Sequence, residues 1–396
     1  MESSGKFLKG FVLGLLLMAL VSAGGFYAYT TLGQPKGGGL ADKGNMDKIT
    51  YLESLIDTYY LNEADQEKMK EGMYAGLVNG LEDPYSRYYT VEEYGTLNEE
   101  TQGHYEGIGV VMQQSDEGLV TLARCYEGAP GEKSGLKAGD AIYKVNGEEV
   151  LEMDLATVAK KIKDPEVNPV HLTIAREGEK DYLELDIMKE EVKVPVVSHE
   201  MLADQVGYIA IYEFTDVTFE QYQEARRDLE GQGMEKLVID LRDNPGGLLT
   251  SVCDVLNTIL PKGLIVYTED KYGNREEERC DGTTPIDIPL AVLVNENSAS
   301  ASEIFAGAVK DHQVGTIVGT VTYGKGVVQT IKDLGDGSAL KLTISNYYTP
   351  SGVNINGVGI EPDEKVELDE SLKEKGMFTR QEDNQLRKAV EVLSRQ

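Results

Sequence analysis

Lys236-Leu237-Val238-Ile239-Asp240-Leu241 runs directly into Arg242-Asp243-Asn244-Pro245-Gly246-Gly247. The first six residues read as a buried strand, and Asn-Pro-Gly-Gly reads as the tight turn that ends it. A helix is expected over 248–260. The same unit recurs downstream, with a strand at 290–294 and a helix over 300–310. Upstream, 206–211 reads as a strand and 218–229 as a helix, with Thr218 and Gln221 placed as its cap. Strand, turn and helix in repetition predict an α/β layer, with ligand chemistry at the carboxyl ends of the strands.

Two of those strand-to-helix turns carry unusual residues. The Gly246-Gly247 turn lets backbone approach a ligand closely, and the following helix start aims N–H groups at it. The other turn is Ser298-Ala299-Ser300-Ala301-Ser302-Glu303, followed 25 residues after Ser300 by Lys325 within Gly324-Lys325-Gly326-Val327-Val328-Gln329. A serine hydroxyl needs a base to become a nucleophile, and a lysine kept neutral by burial is such a base. The two segments therefore read as halves of a Ser-Lys hydrolase site. Ser300-Ala301-Ser302-Glu303 is equally a helix capping box, and the roles are compatible, because a helix start leaves free N–H groups for an oxyanion. Spacing leaves Ser298 and Ser302 as rival nucleophiles. Gln329 follows Lys325 by four residues. On a regular strand both face one way, with Cα atoms about 13 Å apart, so contact needs a bulge or long side chains. His312 is a poor base, because a continuing helix carries it roughly 18 Å from Ser300, and no G-x-S-x-G elbow is present.

At 396 residues the chain accommodates two or three domains. A formal charge of −30 excludes the basic face that nucleic acid requires. Three scattered cysteines (Cys125, Cys253, Cys280) imply no disulfide framework, and four histidines without ligand spacing imply no metal site. No cofactor is expected.

The amino terminus reads as a membrane signal at 1–30. Lys6 and Lys9 precede an uncharged apolar stretch over 10–29, long enough to span a bilayer. The lysines should stay cytoplasmic, leaving the rest outside. Val21-Ser22-Ala23 offers a cleavage site, and cleavage would give a secreted form. Apolar character continues past Ala23, which favours a retained single-pass anchor with the remainder extracellular or periplasmic. A glycine-rich linker over 31–45 follows. A helical segment over 46–102 comes next; helical spacing of Ile49, Leu52, Leu55, Ile56 and Tyr59 suggests packing or homodimerisation, and Thr90-Val91-Glu92-Glu93 is a second capping box. Short strands then fill a β domain over 103–190, including a hairpin signal at Asn146-Gly147 and one main helix over 155–162. The α/β region runs over 191–370, and 371–396 ends in a helix.

The Ser-Ala-Ser-Ala-Ser-Glu run, Gly-Lys-Gly-x-x-Gln, Arg242-Asp243-Asn244-Pro245-Gly246-Gly247 and Leu81-Glu82-Asp83-Pro84-Tyr85-Ser86 together resemble the carboxy-terminal processing proteases, also called tail-specific proteases. The resemblance covers about residues 45–365. It implies Ser300 as nucleophile, Lys325 as general base and Gln329 as the residue holding that lysine. It also implies the N–H groups of Gly246 and Ala301 as oxyanion donors. The β domain resembles the PDZ domain of such proteases. Gly107-Ile108-Gly109-Val110 looks like its carboxylate-binding loop, which would capture protein or peptide substrates with apolar C-termini by strand addition. Arg176, at a strand end, is a candidate for signalling between domains. The fold expectation is thus a multidomain α/β chain with a PDZ-like domain and a Ser-Lys peptidase core. The function expectation is a serine endopeptidase acting at or near C-terminal tails, with the PDZ domain binding the tail or gating the site. The alternative is a catalytically inactive PDZ-bearing scaffold or sensor.

Overall fold

The computed structural model describes residues 39–115, 118–376 and 378–395. The anchor expected at 1–30 and most of the expected linker lie outside the described residues. Among the described residues no helix is long and apolar enough to cross a membrane.

The chain divides into two compact units between Tyr74 and Ala75. The first contains helix Lys43–Tyr59, capped by Asp42, whose side chain accepts the Asn45 N–H at 2.8 Å. The glycine-rich composition around Gly44 suggested a spacer there, but the Asp42 cap starts the helix inside that stretch.

The second unit is built on a six-stranded sheet in the order Val197–Met201, Val206–Ile211, Lys236–Asp240, Leu290–Val294, Thr316–Gly319, Glu364–Lys365. Only the first pairing is antiparallel. Its inner strands are apolar on both faces, as expected for parallel strands covered on both sides. Ile209, Ile239 and Val292 face helices Thr218–Gly231, Leu249–Asn257 and Ala301–Asp311. Tyr208, Val238 and Leu293 face the opposite way, onto Leu386 and Ala389 of helix Asn384–Leu393. A second, antiparallel sheet includes Gly263–Asp270, Val327–Asp333 and Ala339–Tyr348, with Arg87–Tyr89 along one edge. Its Ile265, Val266 and Tyr347 join the same core as Phe305 and Ala308, so helix Ala301–Asp311 is wedged against both sheets. The start of that helix is where the chemistry expected from the sequence converges.

One expected cap does not form. Thr218 is the first helical residue, and its hydroxyl accepts the Thr215 N–H at 2.8 Å and donates to the Glu213 carbonyl. Gln221 reaches back to accept the Val196 and Val197 N–H groups at 2.9 and 3.1 Å. Strand-to-helix docking takes the polar atoms that a local cap would have used.

The β domain has its own core around Leu122, Ile142, Leu172 and Ile174. Its sheet runs Val110–Gln114, Val120–Cys125, Ala141–Val145, Val170–Ala175, Leu183–Ile187. Asn146 and Gly147, both at positive φ, make the expected two-residue hairpin. Helix Leu155–Lys163 is capped by Asp154. Strands His104–Gly107 and Glu190–Lys193 pair at the point where the domain joins the rest, and the Val194 N–H donates to the Gly103 carbonyl there at 2.8 Å.

Candidate active site

The three candidate serines have different environments. Ser298 is fully buried; its hydroxyl donates to the Leu241 carbonyl at 2.7 Å and accepts the Asn295 N–H at 2.9 Å. Ser302 is also fully buried, and its hydroxyl donates to the Asn244 carbonyl at 3.0 Å. Both tie the two strand-to-helix turns together. Ser300 is half-buried and lines a cavity of about 530 Å³. Its backbone sits at φ 53°, ψ −111°, a region a residue with a Cβ occupies only when its surroundings force it there.

Glu303 supplies that force. Its carboxylate is fully buried and accepts four hydrogen bonds. Oε2 takes the Ser300 N–H at 2.8 Å and the Lys325 N–H at 2.9 Å. Oε1 takes the Gly324 N–H and the Thr322 hydroxyl, each at 2.7 Å. A buried carboxylate is tolerable only with such satisfaction. It joins the serine turn to the lysine loop, and the Tyr323 N–H to Ser298 carbonyl bond at 3.0 Å adds to the seam.

Lys325 opens into the cavity that Ser300 lines, together with Ala301, Gly246 and Gln329. Burial pushes its amine pKa down, the nearby Lys341 charge adds to that, and Glu303 opposes both. Its Nζ lies 5.1 Å from the centre of the Tyr85 ring. Lys325 is in a loop ahead of strand Val327–Asp333, so the regular-strand spacing to Gln329 does not apply. A bulge between Val328 and Gln329 shifts the register there. The Gln329 amide nitrogen donates to Thr343 Oγ1 at 3.2 Å.

Around Gly246 the two turns touch. A Cβ placed on Gly246 would fall 2.8 Å from Ser300 Cβ and 2.9 Å from the Ala301 nitrogen, and its φ of 107° suits glycine alone. The Ala301 N–H, at the first helical position, has no carbonyl one turn back to meet. The Gly246 N–H donates to Asn244 Oδ1 at 2.8 Å. Of the two expected oxyanion donors, one is therefore engaged within its own turn. His312 caps the far end of the helix and bonds the Leu264 carbonyl at 2.7 Å.

Among the β-domain candidates, Gly107 ends a strand, Ile108 is buried, Gly109 sits at φ 70° and Val110 opens the next strand. A Cβ on Gly107 would meet the Tyr105 ring at 2.4 Å, which places that aromatic against the loop. Arg176 forks onto Asp140 at 2.6 and 2.8 Å and donates to the Gly135 carbonyl at 2.7 Å, so it braces the Gly135–Asp140 turn of its own domain.

Sequence reasoning missed three residues at the site. Glu303 was read only as a capping residue. Tyr85 lay in a recognised segment without a role, although Asp83, Ser86 and Thr343 lock that segment onto the lysine sheet: Ser86 Oγ donates to Asp83 Oδ2 at 2.5 Å and accepts the Thr343 N–H at 3.1 Å. Lys341 carried no local signal at all.

A hydroxyl on a strained helix start and a half-buried lysine in one cavity define a hydrolase-type site on an α/β core. Residues 205–366 match Peptidase family S41, 96–175 match the PDZ domain, and 19–93 match the Activating protease CtpB N-terminal domain. The carboxy-terminal-processing protease of Bartonella bacilliformis is 37% identical over 81% of this chain and 75% of its own length. A probable CtpA-like serine protease of Staphylococcus aureus is 34% identical over 82% of this chain, and the match spans 66% of that relative's length. The crystal structure of a putative S41 protease from Bacteroides fragilis superposes with a TM-score of 0.51 at 17% identity, over 87% of this chain and 97% of that one, a likeness of fold. The chain belongs to the S41 family of carboxy-terminal-processing serine proteases and carries a PDZ domain.

Proposed function

We propose that this chain is a serine endopeptidase that cuts protein substrates at or near their C-terminal tails by a Ser-Lys mechanism. Neutral Lys325 takes the Ser300 proton as Oγ attacks the peptide carbonyl. The Ala301 N–H holds the developing oxyanion, and a rotation of the Gly246 peptide away from Asn244 supplies the second donor, a change glycine permits at little cost. Lys325 then protonates the leaving amine, and water clears the acyl-enzyme. Gln329, brought round by its bulge, orients the lysine when it releases Thr343. No metal enters these steps.

The PDZ domain captures an apolar tail at Gly107-Ile108-Gly109-Val110, in keeping with glycine-loop recognition of a terminal carboxylate. Anchoring through 1–30, a catalytic part outside the cytoplasm and dimerisation through the N-terminal helices belong to the same reading.

The observation that carries the reading is the Glu303 carboxylate, which joins the Ser300 and Lys325 backbones through one oxygen. A serine-directed fluorophosphonate tests it. Wild type should label and Ser300→Ala should not; equal labelling removes Ser300 as nucleophile.

A further inference from the structure

The cavity beside Ser300 contains a second lysine that the proposed mechanism does not use. Lys341 lies on strand Ala339–Tyr348, paired with Ile331 on one side and Arg87 on the other. Two residues along, Thr343 pairs with Gln329, so Lys341 and Gln329 stand on one face, about 7 Å apart on the diagonal. Both line the cavity, as does Lys325.

Its electrostatic position is unusual for this chain. The sequence has 68 carboxylates against 38 Lys and Arg, yet among the described residues no carboxylate lies in ion-pair contact with Lys341. Arg87, its strand neighbour, is satisfied by Glu93. Among the described residues the one acidic side chain lining the cavity, Glu213, keeps company with Glu100, while Lys341 sits with Lys325 and Arg87. The cavity therefore has an acidic part and a cationic part. Burial and Arg87 also push the Lys341 amine pKa down. An arriving carboxylate would relieve a charge that the fold itself leaves uncompensated, in a site where partial burial strengthens the attraction.

We infer that Lys341 is a substrate-carboxylate anchor, giving the peptidase a preference for a negative group on the substrate near the scissile bond. This rests on the proposed peptidase reading and adds a specificity to it. The carboxylate has two chemical sources, the α-carboxylate of a short tail or an Asp side chain.

The test uses the full-length protein and quenched fluorescent peptides in two matched pairs: free C-terminal acid against amide, and Asp against Asn close to the cleaved bond. Wild type is expected to prefer the charged member of one pair by about tenfold in kcat/KM, the scale of a charge-assisted contact. Lys341→Met should bring that ratio near one, and Lys341→Arg should restore it. Loss in the acid/amide pair assigns the α-carboxylate, and loss in the Asp/Asn pair assigns the side chain. Thermal melts confirm that the variants fold. A wild-type ratio near one in both pairs overturns the anchor, as does a ratio unchanged in Lys341→Met. Because each measurement is a ratio, it stands apart from the peptidase reading, which fails instead if Ser300→Ala cleaves any of these peptides at the wild-type rate.

Discussion

Glu303 accepts the backbone N–H of Lys325 at 2.9 Å through the oxygen that also takes the Ser300 N–H. The acidic residue thus sets the spacing of the two backbones that carry the proposed nucleophile and base. Glu303→Ala should leave four donors without their acceptor. We expect a loss of roughly 3 kcal/mol in stability from the unsatisfied groups and a fall in kcat of about 100-fold or more from the misplaced pair. Glu303→Gln keeps the shape but turns one acceptor into a donor facing N–H groups, so it should fold better than the alanine variant and remain slow. Urea melts and single-turnover kinetics separate the two effects.

Lys325 gives the pH dependence a definite sign. The proposed mechanism needs the neutral amine, so kcat/KM should climb with pH through the lowered Lys325 pKa and then level off. Lys341→Met removes a neighbouring positive charge, lets Lys325 hold its proton longer and should move the rising limb to higher pH. Stability follows from the same shift. The unfolded chain binds the proton more tightly than the folded one, so between the folded pKa and the unfolded value of about 10.4 stability rises with pH. Lys325→Met should therefore be inactive yet more stable than wild type at neutral pH, with the difference shrinking as pH approaches that unfolded value. Full activity in Lys325→Met would remove lysine from the mechanism.

Much of this was legible in the chain itself. The strand at Lys236–Asp240 and the turn after it are local in sequence, and so is the helix start at Ser300. Apolar runs and turn residues encode such features directly. What could not be read is whatever two distant segments make together. What sets Ser298 and Ser302 apart from Ser300 is their bonds to the Leu241 and Asn244 carbonyls, more than fifty residues away. Glu303 looked complete as a cap because three of its four partners arrive from Thr322, Gly324 and Lys325. The Gln329 bulge depends on which residue of the facing strand it meets, and Lys341 becomes conspicuous only beside Lys325 and Arg87.

Tyr85 ties the segment before the PDZ domain to Lys325, the proposed general base. Its ring centre is 5.1 Å from Lys325 Nζ, and its hydroxyl lies near that of Tyr323 in the lysine loop. Tyr85→Phe keeps the ring and should lose little rate, whereas Tyr85→Leu frees the amine and should lower kcat about tenfold, the cost expected of one misplaced catalytic group. KM should change less than kcat in Tyr85→Leu. A parallel loss in both variants would assign the role to the hydroxyl and not to the ring.

The serine run makes the sharpest separation. Ser300→Ala should abolish fluorophosphonate labelling and turnover while leaving the melting temperature near wild type, because Ser300 is half-buried and lines the cavity. Ser302→Ala removes a buried hydroxyl bonded to the Asn244 carbonyl, which should cost about 1–2 kcal/mol and loosen the junction of the two turns without removing the nucleophile. Ser298→Ala cuts a bond to Leu241 and another from Asn295, so it should destabilise by a similar or larger amount. Both variants should still label at Ser300 under conditions where they are folded. If Ser302→Ala instead lost all labelling while melting like wild type, the nucleophile would have to move two residues into the helix and the assignment of Lys325 as its base would go with it.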